Sequence, residues 1–295
     1  MLNLKRILVF VLLLMLSVVT KAQESKVGAA YNFLMHKQLD SAKAAIDIAI
    51  TNPQSANDDQ AWNVRAFIYK EIYKVREKNN PQSPARIESL NSCKKLLTLT
   101  NQSEARESAT NVIKYLTSTF YNDASDNMDT THYAIAIAMF EKYKEYYPLI
   151  DTSKVNLQKK DIEFLLALAS TYTEKFKANK SKQEFLNLTK ATYVKVLAID
   201  PNNINANYNM GILYYNQAVD LINQSDYDLD IVALSDIQDN SIALFKKSLP
   251  FMEKAYTFDP NRKETLLGLS GIYFSLNEFE KSNMFKQKLK EIEQK

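Results

Sequence analysis

Thr189-Lys-Ala-Thr-Tyr193-Val-Lys-Val196-Leu-Ala-Ile-Asp-Pro201 runs directly into Asn202-Asn-Ile-Asn-Ala-Asn207-Tyr-Asn-Met210-Gly211-Ile-Leu-Tyr214-Tyr215. Apolar residues recur three and four positions apart in both halves, the spacing that puts them on one face of a helix. Asp200-Pro201 stops the first run, and the second opens within five residues. Two amphipathic helices joined by so short a turn must fold back on each other.

The same alternation of small and large residues recurs along the chain. The first helices carry Trp62-x-x-Arg65-Ala66-x-x-Tyr69, Ile113-x-x-Leu116-Thr117-x-x-Phe120, Leu165-x-x-Leu168-Ala169-x-x-Tyr172, Asn207-x-x-Met210-Gly211-x-x-Tyr214 and Leu266-x-x-Leu269-Ser270-x-x-Tyr273. The second helices carry Ala42-x-x-x-Ile46-x-x-Ala49, Ser89-x-x-x-Cys93-x-x-Leu96, Ala136-x-x-x-Phe140-x-x-Tyr143, the Thr189 series, and Ser248-x-x-x-Met252-x-x-Ala255. Ser282 begins a sixth. The small residue lets the partner helix approach, and the large one fills the gap beside it. This pattern resembles the tetratricopeptide repeat, a helical hairpin with a Trp-Leu-Gly-Tyr first helix and an Ala-Phe-Pro second helix. The resemblance implies an all-α fold, an α-solenoid of about six hairpins forming a right-handed superhelix. The approximate units are 25–53, 57–101, 103–148, 152–201, 203–260 and 262–293, within a repeat domain over 23–295. Arg65 stands where the family expects Leu, and Lys286 where it expects a large apolar residue. A polar outer helix is how such arrays end, since no neighbour covers that face.

Composition agrees. Four Gly and seven Pro leave little material for hairpins or phosphate-cradling loops, while 17 Tyr and 14 Phe fill a helical core. Residues 1–22 read as a secretory signal: Lys5 and Arg6, then an almost wholly apolar run of 13 residues from Ile7 to Val19, then Thr20-Lys21-Ala22 before a cut after Ala22. Thirteen helical residues cover about 20 Å, short of a bilayer core. No integral span is expected in the mature chain, and retention of the segment as an anchor is the alternative. The formal charge of +3 disappears once Lys5, Arg6 and Lys21 are removed, leaving 34 basic and 34 acidic residues. Nothing in that balance argues for nucleic acid. The expected location is periplasmic or secreted. The Ala22-Gln23 junction and the segment from Asn207 to Tyr273 resemble secreted repeat proteins of Bacteroidetes.

Candidate chemistry is sparse. His36 and His132 lie far apart beside turns, and lone Cys93 occupies an inward position. They make no metal cluster and no nucleophilic pair. Asp226-Tyr-Asp228-Leu-Asp230 has the alternating carboxylates of a calcium loop, but Ile231 replaces its Gly and Ile237 its bidentate Glu. The stretch 224–240 reads instead as an acidic, solvated insert between two long helices. No metal, cofactor or enzymatic activity is expected.

The remaining functional surface is the concave face of the first helices. The register points Asn63, Phe67, Lys70, Lys114, Ser118, Tyr121, Asn122, Ser170, Thr173, Asn205, Tyr208, Tyr215, Asn216, Leu267 and Phe274 toward it. Tyrosines supply area with a polar tip, and asparagines can pair with an extended backbone. Phe120-Tyr121-Asn122-Asp123-Ala124 is echoed by Tyr214-Tyr215-Asn216-Gln217-Ala218 two units later. The expected function is a non-catalytic protein- or peptide-binding adaptor or scaffold of the cell envelope. The alternative is a glycan- or nutrient-binding helical-repeat protein, for which Trp62 and the tyrosines permit sugar stacking.

Overall fold

A computed structural model describes residues 26–53, 55–223 and 230–294. The signal-like segment lies outside the described residues, as do Asp226 and Asp228 of the calcium-loop comparison. Among the described residues all regular structure is helical. The helices are α1 (26–35), α2 (Leu39–Ala49), α3 (Asp59–Glu71), α4 (Pro84–Leu99), α5 (Ser103–Asp126), α6 (Tyr133–Tyr146), α7 (Lys154–Ala178), α8 (Gln183–Ile199), α9 (Ile204–Asn223), α10 (Ile231–Phe258), α11 (Lys263–Ser275) and α12 (Phe279–Glu293). None is long and apolar enough to cross a membrane.

The chain divides into two compact units, one ending at Asn127 but including Ala134–Ser153, the other formed by Met128–Tyr133 and everything from Lys154. Each is built of helical hairpins, the all-α architecture that the repeat pattern implies. Local chemistry sets the helix ends. Asp58 caps α3 by accepting from the Gln60 N–H, and Ser83 caps α4 by accepting from Arg86, with Pro84 at the first helical position. With almost no glycine available, the left-handed turn positions fall to Lys37 (φ 60°) and Asn277 (φ 61°), which close α1 and α11.

The small positions do more than permit close approach. Ser89 Oγ donates to Ala66 O at 2.7 Å, Ser248 Oγ to Gly211 O at 2.6 Å and Ser282 Oγ to Ser270 O at 2.8 Å. In three hairpins, then, the small residue of the second helix ties itself to the backbone carbonyl at the small residue of the first. Approach this near leaves no room at Gly211 and Gly268. An added Cβ would lie 2.6 Å from Met252 Cγ at the former and 2.4 Å from Met252 Cε at the latter. Met252 of α10 is wedged between α9 and α11.

The first unit also buries two cations. Arg65, at the position expected for Leu, bridges α2, α3 and α4: its guanidinium donates to Asp47, Glu88 and Ser92 and lies 4.3 Å from the Tyr69 ring centroid. Arg86 is fully buried, donates to Asp123 at 2.6 Å and stacks 3.7 Å from the Phe120 centroid. In the second unit the insert is shorter than the sequence suggests. α10 already begins at Ile231, capped by Asp230, and its residues 231–240 are helical with none buried.

Candidate functional site

In the second unit α7 continues past its core residue Tyr172 to Ala178, and α9 runs beside it to Asn223. Between them opens a cavity of about 240 Å³. Phe176, Leu186, Tyr193, Ile212, Leu213 and Val219 supply apolar wall, Thr173, Asn209, Asn216 and Gln217 supply polar atoms, and Lys177, Lys180 and Asp220 stand at its edge. Lys180 and Asp220 pair at 2.7 Å. Beyond them an outer cavity of about 470 Å³ continues over Phe176, Ser181, Gln183, Leu221 and Leu244.

Not all of these polar groups are available to a ligand. The Gln217 side chain is consumed internally: its Nε2 donates to Leu213 O and its Oε1 accepts from Lys190 Nζ at 2.9 Å. Tyr193 is buried against Thr173, and burial pushes its hydroxyl up despite that hydrogen bond. Burial, then the charge of Lys247, holds the Lys190 ammonium below its ordinary value. The side chains of Asn209 and Asn216 make no hydrogen bond to any described residue. Their spacing of seven places them two turns apart on one side of α9. The wall therefore presents two uncommitted amides above an apolar floor.

The other expected groove residues divide into three groups. Asn63 accepts from Ser108 Oγ at 3.0 Å, and Phe67 lies under the Lys70 ammonium at 4.5 Å. Burial holds Lys70 below its ordinary value, against the opposing charge of Glu71. Lys114, Ser118 and Asn122 are exposed on α5, whereas Tyr121 turns to α6, 5.2 Å from the Tyr143 ring. At the start of α9, Asn205 Oδ1 accepts from Arg262, whose guanidinium also covers the Tyr208 ring at 4.1 Å. Tyr215 packs on Phe245 of α10 at 5.4 Å, with its hydroxyl close to Gly271. Ser170, Leu267 and Phe274 are exposed, the last edge-on to Phe279 at 5.5 Å. The structure brings Asn216 and Thr173 together in the cavity and turns Tyr208 and Tyr215 toward α10 and α11. Trp62 is half-buried, donates from Nε1 to Ala56 O and has the Arg65 guanidinium over one face at 5.8 Å.

The echo between α5 and α9 now has a physical reading. Position by position, the first ring lies under a cation from the preceding helix, Arg86 over Phe120 and Lys190 over Tyr214. The second ring packs on the partner helix, the third residue is an exposed Asn, the fourth accepts from the same cation, and the fifth is a buried Ala. Phe176, Asn209 and Asp220 carried no such signal. Phe176 and Asp220 line the cavity because α7 and α9 outrun the repeat length, so that their last turns face each other, while Asn209 lines it from the second turn of α9.

Among the described residues no group of three or more His, Cys, Asp or Glu could hold a metal. Cys93 is fully buried, and burial pushes its thiol up to about 12 despite nearby Lys70.

No family model matches the chain, and no curated protein matches it. Solved structures with a similar fold include a human IFIT1 dimer with m7Gppp-AAAA, 13% identical, covering 88% of this chain and 66% of that one at a TM-score of 0.35. They also include YrrB, a TPR protein with an unusual peptide-binding site, 15% identical over 84% of this chain and 95% of that one (TM-score 0.27). PilW, a type IV pilus biogenesis factor, is 16% identical over 91% of this chain and 92% of that one (TM-score 0.27). The chain thus spans about two thirds of the IFIT1 length, and likenesses at these scores carry no argument about function.

Proposed function

We propose that this protein is a non-catalytic adaptor or scaffold of the bacterial cell envelope that binds an extended segment of another protein in the α7–α9 cavity. The observation that carries the reading is the pair Asn209 and Asn216, uncommitted amides above an apolar floor. An extended chain offers alternating carbonyls and N–H groups that an amide meets with one donor and one acceptor. The inner volume of about 240 Å³ suits one large apolar side chain. The engaged face of Trp62 and the packed rings of Tyr208 and Tyr215 weigh against sugar stacking. The envelope location rests on the charged start, the apolar run and the small residues before Gln23.

The test is selection of peptides from a random display library on the purified protein, followed by titration. Selected peptides should share one large apolar anchor. Asn209→Ala with Asn216→Ala should weaken them by about tenfold or more, the worth of one or two buried hydrogen bonds. Selection with no enrichment, or peptides indifferent to both substitutions, would overturn the assignment.

A further inference from the structure

Residues 231–240 form an arm whose outer half has no helix beside it among the described residues. Ser248 lies opposite Gly211 and Phe245 opposite Tyr215, so α9 ends at Asn223 opposite the middle of this arm. On α8, Gln183 is the first helical residue and shares the outer cavity with Leu244 of α10, so α8 does not reach the arm either. Two aliphatic residues at the tip are largely bare, Ile231 at 85% and Val232 at 70% exposure, and Leu234 is 47% exposed. Leu234 and Ile237 continue the stripe that Ser241 and Phe245 bury further along α10. The arm is acidic, with Asp230, Asp236 and Asp239 and no Lys or Arg from 231 to 245.

A surface of matching character lies in the same unit. The outer cavity has Phe176, Leu186, Leu221 and Leu244 in its walls together with Lys180; exposed Lys182 lies in sequence between its lining residues Ser181 and Gln183, and exposed Lys177 stands at the edge of the adjoining inner cavity. Asp220 lines the cavity and is already paired with Lys180. The chain cannot serve itself. Ile231 and the cavity residue Leu244 sit on one continuous helix, 13 residues apart, which holds them about 20 Å from each other.

We propose that the α10 arm docks into the outer cavity of a second copy of this chain, Ile231 and Leu234 entering the apolar walls while Asp236 and Asp239 meet Lys177 and Lys182. Arm and cavity lie at the same end of the unit, so two copies can exchange arms about a two-fold axis and close the assembly. The docking does not rest on the peptide reading: the two cavities share Phe176, Lys180, Leu186, Gln217 and Asp220, but the arm's seat also takes in Leu221 and Leu244, which the inner cavity lacks.

Analytical ultracentrifugation of the purified protein across a concentration series tests it. A contact of two short arms is at the small end of interface sizes and predicts a dimer with a dissociation constant in roughly the micromolar range. Dimerisation should weaken at high salt, as screening of complementary charge requires. Ile231→Asp with Leu234→Asp should abolish it while leaving the helical circular dichroism unchanged, since both residues are exposed in the single chain. Asp236→Lys with Asp239→Lys should weaken it by about tenfold, and Lys177→Glu with Lys182→Glu on the opposing surface should restore it. A monomer at all concentrations, or a dimer that ignores the arm substitutions, would overturn the proposal. Selected peptides binding normally to the Ile231/Leu234 variant would separate this outcome from failure of the α7–α9 cavity.

Discussion

Removing the carboxylate of Asp123 should be among the most damaging single changes in the first unit. Arg86 is fully buried and donates to Thr119 Oγ1, Asp123 Oδ2 and Pro81 O, with Phe120 against one side and Tyr73 5.2 Å away. Its Nε has no partner. Asp123→Ala leaves that guanidinium with a hydroxyl, a carbonyl and aromatic faces but no counter-charge. Loss of one member of a buried pair costs about 3–5 kcal/mol. Arg86→Met removes the ion and keeps most of the volume, but strands Asp123, whose side chain is only 16% exposed. About 2–4 kcal/mol is expected there. Combining the two removes both charges, and the double variant should be less destabilised than the sum of the singles by at least about 1 kcal/mol. Trp62 is the chain's one tryptophan and lies in the same unit, so its fluorescence during urea unfolding reports on the region in question. A cost below about 1 kcal/mol for Asp123→Ala would mean that water reaches Arg86 or that another anion replaces Asp123. Strict additivity would mean that the two residues do not act as a pair.

Three further outcomes follow from particular contacts. Gly211→Ala should destabilise by about 1–2 kcal/mol, because overpacking against Met252 Cγ exceeds the gain in helix propensity; Met252→Ala in the same chain should reverse the sign, as thermal unfolding would show. Cys93, its thiol pushed up to about 12 by burial, should react with a disulfide reagent at neutral pH only after guanidinium unfolding. One equivalent of rapid reaction in the native protein would contradict its burial. For Asp47, burial pushes the carboxyl up, but hydrogen bonds from Lys43 and Tyr69 and the charge of Arg65 outweigh it and leave it below its ordinary value. A depressed carboxylate contributes stability above the unfolded value, near pH 4, and loses it as pH falls through the folded one. Melting temperature should drop on acidification below about pH 4, and Asp47→Asn should flatten that limb while lowering stability at neutral pH.

Helix order and hairpin pairing were readable from the sequence because they depend on local quantities: the spacing of apolar residues, the capping residues before each run, and the small positions where helices must touch. The residues at Ala66, Gly211 and Ser270 announce close approach wherever they occur in a helical pattern. The serines opposite them were read only as small, and their hydrogen bonds to those carbonyls needed coordinates. Arg65 looked like a defect in the pattern and proved to be a buried ion-pair hub, since its acceptors come from α2 and α4 at separations of 18 and 23 residues.

The candidate site divides along the same line. The echoed pentapeptides and the outward Asn122 and Asn216 could be read from sequence, because exposure follows from helical phase. Which amides remain uncommitted could not. Gln217 and Asn216 are neighbours of the same chemical kind, yet Lys190 of α8 consumes one and leaves the other free. Sequence alone determined the helices, their pairing and the inward positions, all consequences of periodicity along one chain. Only the tertiary structure decided where a cavity opens, which polar groups face it unsatisfied and which stretch of α10 no described helix covers. Those properties depend on how far each helix outruns its neighbours, and no single repeat encodes that.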